Sequence, residues 1–149
     1  MGEPSLRERA IRHLARREHS RSELARKLAA HGDAEEVDEV LGRMSELGLL
    51  SDTRFAGAWV RGKAGRFGAA RLRRELTRRG VAAETIDEAL AAECGDSELD
   101  RARAVWQAKF GSAPGDARKW ARQARFLQSR GFASDLIRKI LKESPDESA

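Results

Sequence analysis

Tyrosine is absent from the 149 residues, proline occurs three times and cysteine once. The lone cysteine, Cys94, excludes an intramolecular disulfide and fits a reducing compartment. With so little proline, and with Ala, Arg, Glu and Leu dominating, the chain favours helix throughout. No apolar run approaches the roughly 20 residues that span a bilayer. Met1 to Arg9 lacks the apolar core of a secretory leader. The expectation is a soluble, cytoplasmic protein with no membrane attachment. No alternating pattern of period two appears, so strands are not expected.

Recognisable catalytic chemistry is missing as well. There is no phosphate-cradling P-loop and no nucleophile elbow. The three histidines, His13, His19 and His31, have neither the i, i+4 spacing of a helical zinc pair nor cysteine partners, and they read as surface or boundary residues. Cys94 stands among acidic residues, which do not lower a thiol pKa, so it reads as a small packing residue. The carboxylates fall on mixed helix surfaces without pairing for acid–base work. A non-enzymatic protein with no cofactor, no metal and no catalytic residues is expected.

What is present is a unit written three times. Its markers are Gly32, Gly80 and Gly131, 48 and 51 residues apart. Each closes a basic helix and precedes a short aliphatic one. Ile86 and Leu90 after Gly80 match Ile137 and Leu141 after Gly131. Around Gly32, one residue shorter, Val37 and Leu41 take those places. Leu24 and Leu28 precede Gly32 as Leu72 and Leu76 precede Gly80, whereas Gln123 and Leu127 precede Gly131. A period of this length signals repeated supersecondary units with an extended surface rather than one cleft.

Each unit reads as three helices. The first repeat is expected over 6–49, the second over 51–94 and the third over 97–142, with a polar tail at 143–149. In the first, Leu6, Ala10, Ile11 and Leu14 form one stripe, and Ser20 with Glu23 forms a capping box. Ser51 or Asp52 caps the next helix. Gly48 suits the left-handed residue just past a helix end, and Gly80-Val81 and Gly131-Phe132 suit a Schellman ending. Gly62 to Gly68 reads as a flexible basic turn. The three tryptophans read as core, Trp120 least clearly. The fold class is all-α: three tandem three-helix repeats, helix-turn-helix-like in outline.

The net charge of +5 is laid out in blocks. Residues 54–79 carry nine basic side chains against Glu75, and 101–130 carry eight against Asp116. Residues 31–52 carry seven acidic side chains against Arg43, and 84–100 carry seven against none. Two basic blocks at matched repeat positions favour a surface for a polyanion or an acidic protein. On the helix 69–79, Leu72 and Leu76 define the buried side, which puts Arg71, Arg74 and Arg78 together opposite. Guanidinium binds phosphate and carboxylate in bidentate fashion. Arg118, Lys119, Arg122 and Arg125 occupy the corresponding helix of repeat three. Lys63 and Arg66, in the glycine turn, are further candidates for phosphate. The first repeat is more mixed in charge and reads as an auxiliary or capping element.

Four segments resemble the RecX family, regulators of the RecA recombinase. They are Arg17-Glu18-His19-Ser20-Arg21-Ser22-Glu23-Leu24, the run from Gly48 to Ala56, the run from Leu72 to Val81, and the run from Arg125 to Phe132. The resemblance covers nearly the whole chain, in order. It implies tandem three-helix repeats in an elongated, curved molecule, expected as a monomer, that lodges in the groove of the RecA–DNA filament. There it would inhibit ATP hydrolysis and strand exchange, limit filament growth, and temper recombination and the SOS response. Binding to single- or double-stranded DNA is also implied. Phe67 departs from the usual glycine turn, and Ala82 and Ala133 stand where a capping serine is common. The alternative is a helix-turn-helix DNA-binding repressor, which would recognise a defined duplex site, usually as a two-fold dimer.

Overall fold

Nine α-helices occupy the residues described by a computed structural model, 2–94 and 97–142, and no strand occurs among them. They are α1 Leu6–Arg16, α2 Arg21–Leu28, α3 Ala34–Glu46, α4 Asp52–Lys63, α5 Ala69–Arg78, α6 Ala83–Glu93, α7 Glu98–Lys109, α8 Ala117–Ser129 and α9 Ser134–Lys142. The polar tail expected at 143–149 lies outside the described residues.

Helix starts follow local chemistry. Ser5, Ser20, Asp33, Ser97 and Asp116 each accept the backbone N–H three residues on, satisfying a donor that the helix leaves orphaned. Glu23 and Glu36 return the bond, completing capping boxes at Ser20 and Asp33. Ser51 and Asp52 are not alternatives, because each caps a different helix. Ser51 Oγ accepts the Arg54 N–H at 3.1 Å, whereas Asp52 Oδ1 accepts the Arg21 N–H at 2.7 Å, at the start of α2.

Gly48, Gly80 and Gly131 adopt φ of +75°, +80° and +92°. Each ends its helix in a Schellman motif, with Leu49, Val81 and Phe132 N–H donating to the carbonyls of Met44, Leu76 and Leu127. Gly32 is not their equivalent. It is absent from the left-handed glycines, and α2 already ends at Leu28. Gly32 instead makes room for α1, since a Cβ there would lie 2.5 Å from Leu6 Cδ1.

The chain divides into two compact units. The first is Met1–Trp59 with Leu76–Ala89. Its core gathers Ala10, Leu24, Leu28, Val37, Leu41, Met44 and Leu50. Ile11, expected on the apolar stripe of the first helix, is exposed at 39%, and Leu47 at the end of α3 is exposed at 42%. In this unit the end of α5 meets the start of α2. Ser20 Oγ donates to the Arg79 carbonyl at 2.7 Å, and a Cβ on Gly80 would strike Ser22. The Arg79 guanidinium lies 4.0 Å from the Trp59 ring centroid.

His19, read as a boundary residue, is buried in this unit at 2% exposure. Its Nδ1 lies 3.1 Å from the Arg17 carbonyl and its Nε2 lies 2.8 Å from Lys27 Nζ. A neutral ring protonated at Nδ1 satisfies both contacts. Burial, together with the Arg17 and Lys27 charges, holds its pKa below the ordinary value of 6.5, against the Arg17 hydrogen bond and Glu23. Burial would raise the Glu23 pKa, but hydrogen bonds from Arg17 and Ser20 outweigh it and lower it.

The second unit is Val60–Glu75 with Leu90–Ala149. Its core gathers Ala102, Trp106, Leu127, Phe132, Ile137, Ile140 and Leu141. Gln123, which breaks the leucine pattern, has a purpose here. It is buried, accepts the Trp106 indole N–H at 2.8 Å and donates to the Ser112 carbonyl at 3.2 Å. The end of α8 meets the start of α5 as the end of α5 meets α2. Gly68 N–H donates to the Arg130 carbonyl at 2.7 Å, and a Cβ on Gly131 would overlap Arg71. Glu98 Oε1 accepts the Ala69 N–H at 2.8 Å, doing for α5 what Asp52 does for α2. The same joint is thus built twice, once in each unit.

Candidate partner-binding surface

The segment 62–68 is not the flexible turn expected of it. Gly62 and Lys63 belong to α4, and the connection that follows is tied down by α7. Arg101, 8% exposed, donates to the Ala64 carbonyl at 2.9 Å and to the Phe67 carbonyl at 2.5 Å. A buried guanidinium requires such acceptors, because desolvating it unpaired would be costly. A Cβ on Gly68 would lie 2.4 Å from the Gly131 carbonyl oxygen, so only glycine permits this approach.

Phe67, the departure noted in the sequence, is the buried hub of this region at 6% exposure. Four cations surround its ring, with Lys63, Arg66, Arg71 and Arg130 at 5.7, 5.3, 3.9 and 5.4 Å from the centroid. The structure therefore brings together Lys63, Arg66 and Arg71 of the expected site residues and adds Arg130. Arg71 is also spent on the protein itself. It pairs with Glu75 at 3.1 Å and donates to the Ser129 carbonyl at 3.1 Å. It does not share the open face of α5 with Arg74 and Arg78, because its guanidinium lies over a buried ring.

Arg74 and Arg78 lie one turn apart on α5, and both are exposed. On α8, Arg118, Lys119, Arg122 and Arg125 are all exposed. Arg118, Arg122 and Arg125 fall within about 60° on the helix, and Lys119 stands about a quarter-turn away. None of these six makes an ion pair among the described residues. Other arginines do, including Arg17 with Glu23, Arg21 with Asp38, Arg54 with Glu18 and Arg61 with Glu93. α5 and α8 each carry exposed cations with no ion pair among the described residues, and such groups attract phosphate or carboxylate. Trp120, 38% exposed, stands on the side of α8 away from the three arginines and is not core.

Sequence reasoning passed over Lys109 and Arg130, which lie near Phe126 with their charged ends 5.6 and 4.9 Å from its centroid. The repeated Arg-Gly pair at 79–80 and 130–131 was the available signal for Arg130. Among the described residues, no group of three His, Cys, Asp or Glu side chains could hold a metal ion. No helix among them is long and apolar enough to cross a membrane.

Comparison with known proteins places these helices in a family. Residues 7–44, 51–90 and 96–141 match the models of the first, second and third three-helix domains of RecX. The chain is 49% identical over 144 residues to the regulatory protein RecX of Leptothrix cholodnii, covering 96% of this chain and 91% of that one. It is 43% identical over 144 residues to the Chromobacterium violaceum regulatory protein RecX, covering 96% and 93%. The crystal structure of RecX from Lactobacillus salivarius shares the fold, with a TM-score of 0.77 at 19% identity over 93% of each chain. With all three domain models matched in order, and with relatives this similar along nearly the whole length, the chain belongs to the RecX family of regulatory proteins.

Proposed function

We propose that this protein is a non-catalytic modulator of RecA that binds in the groove of the RecA–DNA filament, inhibits ATP hydrolysis and strand exchange, and limits filament growth. Family membership supports the partner, and the exposed cations of α5 and α8 that make no ion pair among the described residues supply the observation that carries the binding. Arg74, Arg78, Arg118, Lys119, Arg122 and Arg125 are exposed and make no ion pair among the described residues. Their targets are acidic RecA surface or DNA phosphate. Lys63, Arg66 and Arg71 contribute by shaping the connection around Phe67, with Arg71 in a packing role. A bound modulator shifts the filament by its differential affinity for the filament's states and needs no chemistry of its own. The protein acts as a cytoplasmic monomer, and its contact with single- or double-stranded DNA runs through phosphate and is salt-sensitive.

The test compares the parent with Arg74→Ala/Arg78→Ala and with Arg118→Ala/Arg122→Ala/Arg125→Ala on RecA–single-stranded DNA filaments, reading ATP turnover and filament length. Arg71 is left intact because its loss would disturb packing. Both folded variants should inhibit less well, by on the order of tenfold in the concentration required. Undiminished inhibition by both would remove the arginines from the interface. A footprint at a defined duplex sequence would favour the repressor alternative.

A further inference from the structure

The α4–α5 connection, α7 and α8 enclose an open groove of about 330 Å³ in the second unit. Its walls are Ala104, Val105, Ala108 and Phe126, and its rim carries Arg66, Lys109 and Arg130. Among the described residues no acidic side chain lines it, and the three cations make no ion pair. Ring contacts hold them in place. Arg130 bridges Phe67 and Phe126, Lys109 lies over Phe126 and Arg66 over Phe67.

An occupant must therefore offer an apolar group to the walls and negative charge to the rim. A nucleic-acid base fits poorly. The Phe126 ring already carries Lys109 and Arg130 and meets Phe110 in an edge contact at 5.3 Å. The remaining wall is alanine and valine, which provide no stacking platform. Phosphates alone would reach the rim and leave the apolar walls uncovered. A peptide with one apolar side chain between carboxylates meets both demands, since fixed guanidinium groups match carboxylate geometry.

We propose that this groove docks an acidic segment of RecA through a single aliphatic or aromatic anchor. The anchor packs on Ala104, Val105, Ala108 and Phe126, and flanking carboxylates pair with Arg66, Lys109 and Arg130. The partner's identity rests on the function proposed above, and the acidic, apolar-anchored chemistry rests on the groove.

The experiment titrates the full chain into fluorescein-labelled, overlapping short peptides that tile the RecA sequence, reading anisotropy at moderate salt. RecA ATP turnover is read in parallel. Binding should be confined to tiles that combine acidic residues with a Leu, Ile, Val or Phe. Arg66→Ala/Lys109→Ala should weaken that binding about tenfold. Ala108→Trp, which fills the groove from an exposed helix position and leaves the cations in place, should weaken it similarly. Circular dichroism establishes that both variants fold, and Lys109→Glu replaces either one that does not. The docking proposal is overturned if no tile binds while the chain still inhibits RecA, in which case the proposed function stands. It is equally overturned if tiles bind but none of the variants matters, or if Arg66→Ala/Lys109→Ala lowers affinity for single-stranded DNA alone. A chain that binds an acidic tile through the groove yet leaves RecA turnover unchanged supports docking and defeats the inhibitory reading.

Discussion

Replacing Gly131 by alanine isolates what the joint between α8 and α5 requires. Gly131 adopts φ +92°, and a Cβ there would stand 2.3 Å from Arg71 Cβ, 2.6 Å from Arg71 N and 3.0 Å from Arg71 Cα. Two costs follow. The left-handed conformation costs an L-residue about 1–2 kcal/mol. The overlap falls on the backbone of α5 and not on a flexible tip, so the helix must shift, and overpacking of this kind costs about 1–3 kcal/mol. The total of roughly 2–5 kcal/mol is a large share of the about 5–15 kcal/mol that holds a domain folded. Gly48→Ala is the matched control. Gly48 has φ +75° with nothing within 4 Å of its added Cβ, so only the first cost of about 1–2 kcal/mol applies. Urea denaturation of the parent and both variants, compared by midpoint at unchanged m, measures the difference. Hydrogen exchange at the Gly68 amide, which bonds to the Arg130 carbonyl, should quicken in Gly131→Ala and not in Gly48→Ala. If Gly131→Ala costs no more than Gly48→Ala, the close approach contributes nothing and the reasoning fails.

Two further predictions concern buried polar groups. Because the folded pKa of His19 is depressed below 6.5, the fold favours the neutral ring. Its contribution to stability is present above pH 6.5 and is lost as pH falls through the folded value. Denaturation midpoints measured from neutral to mildly acidic pH should fall for the parent and fall less for His19→Gln, while parallel curves would exclude His19 as the cause. Gln123→Leu restores the leucine spacing of the other repeats but orphans the Trp106 indole N–H, so it should destabilise by about 1–3 kcal/mol in urea. A stabilised variant would show that the indole bond is dispensable.

Much of the helical architecture is legible in the sequence. Ser20 with Glu23, Ser97 and Asp116 announce helix starts, and Gly48, Gly80 and Gly131 announce helix ends, because caps are decided within four or five residues. Gly32 misled because the missing residue after α2 changes the turn, and its glycine is needed for contact with Leu6. His19 misled because a polar side chain in a basic segment looks exposed until its partners Lys27 and the Arg17 carbonyl are seen around it. Gln123 looked like a lapse in the pattern, since nothing local reveals that Trp106 needs an acceptor.

The sequence by itself determined the three-helix repeat, the family and the two basic helices, all of which are written in short-range spacing and residue type. Which cations remain available was decided only by tertiary structure. Arg71 and Arg74 look alike on a helical wheel, yet Arg71 is claimed by Phe67 and by the Ser129 carbonyl, 58 residues away in sequence. Arg101 resembles Arg54 by position, yet it is buried against carbonyls 34 and 37 residues distant, whereas Arg54 stays exposed on Glu18. The groove between residues 65–66, 104–109 and 126–130 exists only because three separate segments converge. Helix periodicity is set by neighbours one turn away, whereas the fate of a charge is set by whichever acceptor the fold places against it.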